Sequence, residues 1–329
     1  MKTNILITGG CGFLGTKLVE RVFSDNCNIR IVDNLSTSTK DDLSSVSLFR
    51  ELQSNEVDNP PKGVELVVGD ILDVQLAIDV TTDCNVIVHF AANTGVGPSV
   101  ADPRSDCVTN VIGALNYLEA ARINKVSRFI FASSGAPAGE AEPPIHEEVP
   151  LHPVSPYGAS KLAGEGYCSA YYCTFGINSV VLRFGNVYGP GSRHKSSVVA
   201  KFIRQALGKE ILEIYGDGSQ TRDFIYIDDL IDAVQLAIST PDIGGEAFQI
   251  ASNMETSVGE MTIQLVKIME SEGICNINIV NGEKRLGDVM RNYSDTTKAR
   301  IKLGWEPKIT LNEGLLKTVR YFLKDVELA

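Results

Sequence analysis

No apolar run in this sequence approaches the roughly 20 residues a helix needs to cross a bilayer, so an integral membrane protein is not expected. The opening stretch, Met-Lys-Thr-Asn-Ile-Leu-Ile-Thr-Gly-Gly, meets glycine too soon to supply the apolar core of a signal peptide, and a cytoplasmic location follows as the expectation. Thirteen prolines and 29 glycines among 329 residues are too few for a collagenous or low-complexity chain. Aromatic residues make up only 7%, with a single tryptophan. The seven cysteines are odd in number, scattered, and never spaced Cys-x-x-Cys, which argues against a disulfide framework and a zinc site; no metal is expected. Most of them read as small buried apolar residues in a reducing compartment. Positive charge is also short. Thirty Lys and Arg face 41 Asp and Glu, for a net charge of -11, so nucleic acid and anionic lipid are poor partners.

What is present is an ordinary globular composition, 43% hydrophobic and 22% charged, in a chain long enough for roughly two domains. β-branched runs at Asn4–Thr8, Asn28–Asp33, Val64–Gly69, Asn85–Phe90, Arg128–Ser133 and Asn178–Phe184 read as buried parallel strands. Helical patterns at Phe13–Ser24, Val74–Thr81, Asp106–Asn124 and Tyr157–Phe175 alternate with them. Such alternation predicts an α/β fold, a Rossmann-type doubly wound parallel sheet with right-handed crossovers. The polar stretch 34–63 reads as loop and short helix, and the acidic, Pro-rich stretch 139–156 as a long functional loop. Beyond Phe184 the pattern becomes turn-rich, with helices at Ser197–Leu207, Val258–Glu272, Asp295–Leu303 and Leu311–Leu323 and short strands at Glu213–Tyr215 and Asn276–Val280. Phe224–Ile227 and Ala247–Ile250 read as strands returning to the main sheet. The expected organisation is a large domain at 1–184, joined by 223–251, and a smaller one from 185–222 and 252–329.

Three motifs carry chemistry. Gly9, Gly12 and Gly15 lie three apart where a strand ends and a helix begins. That spacing serves a tight turn, close approach of backbone to a pyrophosphate, and helix–strand packing. The helix N-terminus then supplies the positive potential that an acidic protein lacks elsewhere. Asp33 ends the second strand, where a carboxylate accepts from adenosine ribose hydroxyls and repels a 2′-phosphate, favouring NAD over NADP. Tyr157 and Lys161 stand i and i+4 on one helix face. A nearby ammonium favours the phenolate, so the tyrosine's pKa is expected to fall from about 10, making Tyr157 a general base and acid. Ser134 is placed to hydrogen-bond the same substrate oxygen. His89 reads as a packed residue rather than a catalyst.

Taken together these residues resemble the extended short-chain dehydrogenase/reductases, in particular the NAD-dependent nucleotide-sugar epimerase/dehydratase group. The likeness runs through Thr8-Gly-Gly-x-Gly-Phe-Leu-Gly15, Asp33-Asn-Leu35, Asp70-Ile71, His89-Phe-Ala-Ala92, Asn110, Ser133-Ser134, Tyr157-Gly-Ala-Ser-Lys161, Arg183-Phe-Gly-Asn-Val-Tyr-Gly-Pro190, the segment Gly216–Asp229, and Arg285-Leu-Gly-Asp288. It implies NAD as cofactor, contacted by Gly9, Gly12, Phe13, Leu14 and Gly15 in the turn, and by Asp33, Asn34, Leu35 and Ser36 after the second strand. Asp70, Ile71, Phe90, Ala91, Ala92, Asn110, Ser133, Tyr157 and Lys161 complete that set. It implies Ser134, Tyr157 and Lys161 as catalytic residues, and Ser134, Asn186, Arg222, Arg285 and Asp288 as the groups that hold a nucleotide-diphosphate sugar. Paired arginines suit a diphosphate, because guanidinium forks bind phosphate oxygens bidentately. A homodimer, formed through the Asp106–Asn124 and Tyr157–Phe175 helices, is a further implication.

The residues after Ser134 discriminate among reactions. Dehydratases of the group resemble one another in an Asp-Glu pair there, and decarboxylases in a Glu, whereas this chain has Gly135-Ala136. Hydride chemistry with nothing added fits a 4-epimerase, with UDP-hexose the favoured substrate. Pro137-Ala138 replaces the more usual Val-Tyr, which alters the wall near the sugar. The cluster Arg193-His194-Lys195 either reaches a substrate carboxylate, as in a UDP-glucuronate-type 4-epimerase, or is a solvated loop; the loop reading is preferred. A net NAD-dependent nucleotide-sugar reductase or dehydrogenase would use the same Ser-Tyr-Lys set, while a non-enzymatic NAD-sensing regulator would not need it.

Overall fold

The structure is a computed structural model describing residues 2–23, 27–57, 59–283 and 289–328. Eight parallel strands form the main sheet: β1 (Asn4–Thr8), β2 (Asn28–Asp33), β3 (Arg50–Leu52), β4 (Val64–Val68), β5 (Val86–His89), β6 (Arg128–Ser134), β7 (Ser179–Phe184) and β8 (Ala247–Ile250). Their order across the sheet is β8-β7-β6-β5-β1-β2-β4-β3. The α/β, Rossmann-type reading is therefore correct, with strand limits within a residue of those expected.

Side chains of successive strand residues point to opposite faces, and the two hydrophobic cores follow that alternation. Ile5, Ile7, Ile29, Ile31, Val86, Val88 and Ile130 enter one core, while Leu6, Val32, Ile87, Phe129 and Phe131 enter the other. On the second face lie α2 (Val74–Thr81), α3 (Gly113–Ile123) and α4 (Pro156–Phe175). On the first lie α1 (Phe13–Phe23), α5 (Val198–Leu207) and α6 (Ile227–Ser239). From β1 the chain passes to β2 on one side and, later, to β5 on the other. The reversal opens a crevice at the carboxyl ends of these strands, the usual ligand position in such sheets.

Five expectations need correction. The polar stretch 34–63 contains a true strand, β3, at the sheet edge. Phe224–Tyr226 does not return to the main sheet; it pairs with Asn186–Tyr188 in a separate two-stranded unit, and only β8 returns, beside β7. The segment expected as one helix from Asp106 to Asn124 is three pieces, a short helix Pro103–Cys107, a π-turn Val108–Ile112 and α3. Among the cysteines, Cys11, Cys84 and Cys168 are buried but Cys107, Cys173 and Cys275 are exposed, so most are not core residues. The late strand is shifted to Ile279–Gly282, where it pairs with Leu212–Tyr215. The long 139–156 loop is pinned by Ile145, whose N–H donates to Tyr293 O at 2.9 Å.

Candidate active site

The glycine turn connects β1 to α1. Gly9 has φ +69°, and its amide donates to Val32 O at 2.8 Å, fastening the turn to β2. A Cβ on Gly15 would lie 2.4 Å from both Gly9 O and Gly10 Cα, so only glycine lets α1 start this close to the turn. Gly12 is different: its only neighbour is Gly9 O, 3.3 Å from a hypothetical Cβ, and the rest of that side is open toward the crevice. The three glycines thus divide into two that pack and one that leaves backbone bare for a ligand. This is the shape a dinucleotide pyrophosphate needs at a helix N-terminus.

Asp33 is held from two sides. Its Oδ2 accepts from Cys11 N at 2.9 Å, and its Oδ1 from Leu35 N at 2.8 Å and Ser38 Oγ at 3.3 Å. Burial raises its pKa while these hydrogen bonds pull it back. Ionised carboxylates offer about four acceptor positions, which leaves one for a ribose hydroxyl. Leu35 adopts a left-handed backbone, φ +57°, that turns its amide back onto Asp33.

The crevice has a volume of about 830 Å³, within the range of small-molecule sites. Gly9, Gly12, Phe13, Leu14, Gly15, Asp33, Asn34, Ser36, Ile71, Phe90, Ala91 and Ala92 line it, all of them expected from the sequence. Leu35, Asp70, Asn110, Ser133, Tyr157 and Lys161 do not. Asp70 is exposed, while Asn110 and Ser133 are buried. Asp70 accepts from Asn34 Nδ2 at 3.0 Å, and Ser133 donates to the buried Glu165. Asn110, in the π-turn, accepts from Asn93 N at 2.7 Å and donates to Ser160 Oγ at 3.0 Å.

A further stretch of wall was foreseen only as an alternative for Arg193-His194-Lys195. Pro190, Gly191, Arg193, His194, Lys195 and Ser196 face Asp42, Ser45 and Val46 across the crevice. Arg193 pairs with Asp42 at 2.7 Å, and Arg204 holds the carbonyls of Arg193 and Lys195 at 2.6 and 2.7 Å. Arg193-His194-Lys195 is a loop, as preferred, with His194 exposed, but its backbone is pinned from α5 and it lines the crevice.

Ser134, Tyr157 and Lys161 come together beside the crevice, where Asp106 lines it. Helix α4 begins with Ser155 as cap, its Oγ accepting from Gly158 N at 3.1 Å, and with Pro156 in the first turn. Gly158 lets this turn press on the 136–138 segment, since a Cβ there would lie 2.7 Å from Ala136 O. Ser134 Oγ accepts from Ala136 N at 3.2 Å. Lys161 is 4% exposed and donates to Ala132 O at 2.8 Å, with its ammonium 6.0 Å from the Tyr157 ring centre. Burial pushes Lys161 down to about 8, opposed by Asp106 and Glu165 and assisted by Lys195.

Tyr157 reverses an expectation. Burial pushes its pKa up to about 12, with Ser134 lowering it and Asp106 raising it further. The i,i+4 spacing implied that Lys161 would pull it down. Instead the lysine's ammonium is directed at the Ala132 carbonyl, and desolvation of the phenolate is the larger effect. One turn beyond Lys161, Glu165 is bound by Arg183 Nη2 at 2.7 Å and Nε at 3.1 Å. The step from Tyr157 to Lys161 to Glu165 is a visible i, i+4, i+8 ladder that could have revealed it. His89 is buried, with Nδ1 2.9 Å from Thr8 Oγ1, as a packed residue should be.

Of the expected sugar-nucleotide residues, Asn186 is exposed at the start of its short strand and donates its amide to Asp223 O at 2.7 Å. Arg222 reaches Val289 O at 2.8 Å. Arg285 and Asp288 lie outside the described residues. Among the described residues no cluster of metal-ligating side chains occurs, and no helix is long and apolar enough to cross a membrane.

Comparison with known proteins gives a consistent result. The NAD dependent epimerase/dehydratase family matches residues 5–251. A UDP-glucose 4-epimerase of Mycolicibacterium smegmatis is 34% identical over 322 residues, 96% of this chain and 97% of the other. A solved UDP-glucose 4-epimerase from Thermotoga maritima, with UDP-glucose, superposes with TM-score 0.88 at 34% identity, covering 98% of this chain and 100% of that one. A Bacillus cereus UDP-glucuronic acid 4-epimerase, in complex with UDP-glucuronic acid and NAD, gives TM-score 0.88 at 28% identity, covering 98% and 99%.

Proposed function

The chain belongs to the NAD dependent epimerase/dehydratase family, and from that premise we propose that it is a nucleotide-sugar 4-epimerase acting on a UDP-hexose. The observation that carries this reading is the turn after Ser134. Gly135, Ala136, Pro137 and Ala138 close it as a short 3-10 turn whose side chains hold no carboxylate. Water loss or decarboxylation needs an acid or base there; inversion at C4 does not.

In this reading Gly9, Gly12 and Gly15, the start of α1, and Asp33 hold NAD. Bound NAD supplies the acceptor and then the donor of the C4 hydride, together with the positive ring charge of its oxidised form. Tyr157 takes the proton from the C4 hydroxyl and returns it. To take that proton it enters the step as phenolate, a form that the positive ring charge of oxidised NAD, when bound, would favour against the burial that raises its pKa. Ser134 bonds the same oxygen, and Lys161 offers the charge that stabilises the phenolate. Asn186, Arg222, Arg285 and Asp288 hold the UDP, so that 185–222 and 252–329 serve as the sugar-nucleotide part over 1–184. A second reading, UDP-glucuronate as substrate, is favoured by Lys195, whose charge is felt at Lys161 and could meet a sugar carboxylate.

The test is incubation of the purified protein with UDP-glucose and UDP-glucuronate without added cofactor, followed by NMR of the products. C4 epimers formed with no net NADH support the proposal. A 4-keto-6-deoxy product, or NADH released in step with turnover, overturns it. We further infer a cytoplasmic homodimer. Val108 and Ile112 in the π-turn and Tyr167, Tyr172 and Phe175 on α4 are exposed large side chains on two neighbouring elements. An Ile112→Glu variant that sediments as a monomer, where the parent is a dimer, supports that face as the interface.

A further inference from the structure

Asp106 is 3% exposed on the short helix Pro103–Cys107, yet it belongs to the wall of the crevice. Its Oδ1 accepts from Asn110 Nδ2 at 3.2 Å, and its Oδ2, fully buried, has no hydrogen-bond partner among the described residues. A buried acceptor left unpaired is destabilising, the more so when charged. Something in the site must repay that carboxylate. The link onward is structural: Asn110 Nδ2 also donates to Ser160 Oγ at 3.0 Å, and Ser160 Oγ donates to Tyr157 O at 3.0 Å. Asp106 is thereby tied to the turn of α4 that carries Tyr157 and Lys161.

We propose that Asp106 is a positioning residue of the reaction centre, its carboxylate the counter-charge that keeps the Lys161 ammonium protonated beside Tyr157, with Asn110 and Ser160 holding the two in register. This rests on the reading of Tyr157 and Lys161 as the reacting pair. The other groups facing Lys161 do not replace it. Glu165, on the same helix, is already bound bidentately by Arg183. Cys168 is a thiol whose pKa burial drives upward. His89, on β5, is held neutral by burial, pushed down to about 3. Lys195, from the 190–196 wall, has the same sign as Lys161 and works against its protonation. Around Tyr157, Ser134 lowers and Asp106 raises the phenol. Removing the Asp106 charge therefore moves both groups the same way: Lys161 loses its proton, and Tyr157 ionises, at lower pH.

The experiment is an Asp106→Asn substitution in the full chain, with ¹³Cε-labelled lysine and the Lys161 resonance assigned by its absence in Lys161→Arg. Asp106 is the charge that most favours protonated Lys161, and a nearby opposite charge shifts a pKa by about one unit. The Lys161 midpoint should therefore fall by about one pH unit in Asp106→Asn and recover in Asp106→Glu. With UDP-glucose as substrate, the alkaline limb of kcat should move down with it, and the acidic limb should move down as well. An unmoved Lys161 midpoint in Asp106→Asn overturns the proposal, as does a pH-independent loss of kcat that Asp106→Glu does not rescue. The titration needs no substrate. Absence of turnover with UDP-glucose thus tells against the epimerase reading, while the midpoint still tests the role of Asp106.

Discussion

The buried pair beneath the reaction centre lends itself to a double-mutant cycle. Glu165 and Arg183 are both about 7% exposed in their side chains and joined at 2.7 Å. Glu165 also accepts from Ser133, and Arg183 Nη1 lies 3.4 Å from Glu147 O. Replacing Glu165 by Leu leaves a guanidinium in the core with no anion, and replacing Arg183 by Met leaves the carboxylate alone. Breaking one side of such a pair costs about 3–5 kcal/mol, whereas replacing both partners by apolar groups is often close to neutral. Each single variant should therefore lose about 3–5 kcal/mol in urea unfolding followed by far-ultraviolet circular dichroism at pH 7. The double variant should lose much less than their sum, with a coupling energy of at least about 3 kcal/mol. If the singles each cost under about 1 kcal/mol and simply add, the pair is not coupled, and Glu165 does not tie α4 to β6 and β7.

Three further outcomes follow from the same geometry. Gly12→Ala should keep stability within about 0.5 kcal/mol, as surface changes do, while NAD affinity by calorimetry falls at least about tenfold; Gly15→Ala should lose stability outright, and equal effects at the two positions would contradict the division between packing and binding glycines. Tyr157→Phe should fold with an unchanged melting temperature and lose about 10²–10⁴ in kcat; retained activity would refute the assigned base. Lys161→Met should abolish activity yet stabilise the chain at pH 7. Folding lowers the lysine's pKa from 10.5 to about 8, so the unfolded state binds the extra proton between those values and stability rises with pH across that window. The shift corresponds to about 3 kcal/mol below pH 8, reduced by the lost bond to Ala132. The gain should shrink as pH climbs toward 10, which unfolding curves at pH 7 and 10 would read.

Legibility in the sequence followed the range of the interactions. Strands β1, β2 and β4–β7 announce themselves because both faces are buried, so their β-branched runs are continuous. Strand β3 does not: Arg50-Glu51-Leu52 lies at an edge with a single neighbour, and nothing in its composition demands burial. The glycine turn was readable because its spacing is local. Asp106 was not, because its significance depends on α4, some 50 residues later, folding over it. The pKa of Tyr157 was misjudged for the same reason. A helical repeat reveals that a lysine is one turn away, but not that its ammonium turns to Ala132 or that the phenol is desolvated. Phe224–Tyr226 has the apolar composition of a sheet strand, and only the position of Asn186–Tyr188 shows where it pairs.

The strand order has a consequence for how such a chain can be made. From β1 outward through β5, β6, β7 and β8, each newly synthesised strand meets an edge already in place. That half of the sheet can grow during translation without any strand having to wedge between two others. On the opposite side β2 and β4 add in the same manner, but β3 leaves the ribosome before β4, the strand it pairs with. It must wait at the rim until β4 arrives. Three residues, largely polar, make a strand that can afford to wait, because its delay exposes almost no apolar edge to neighbouring chains.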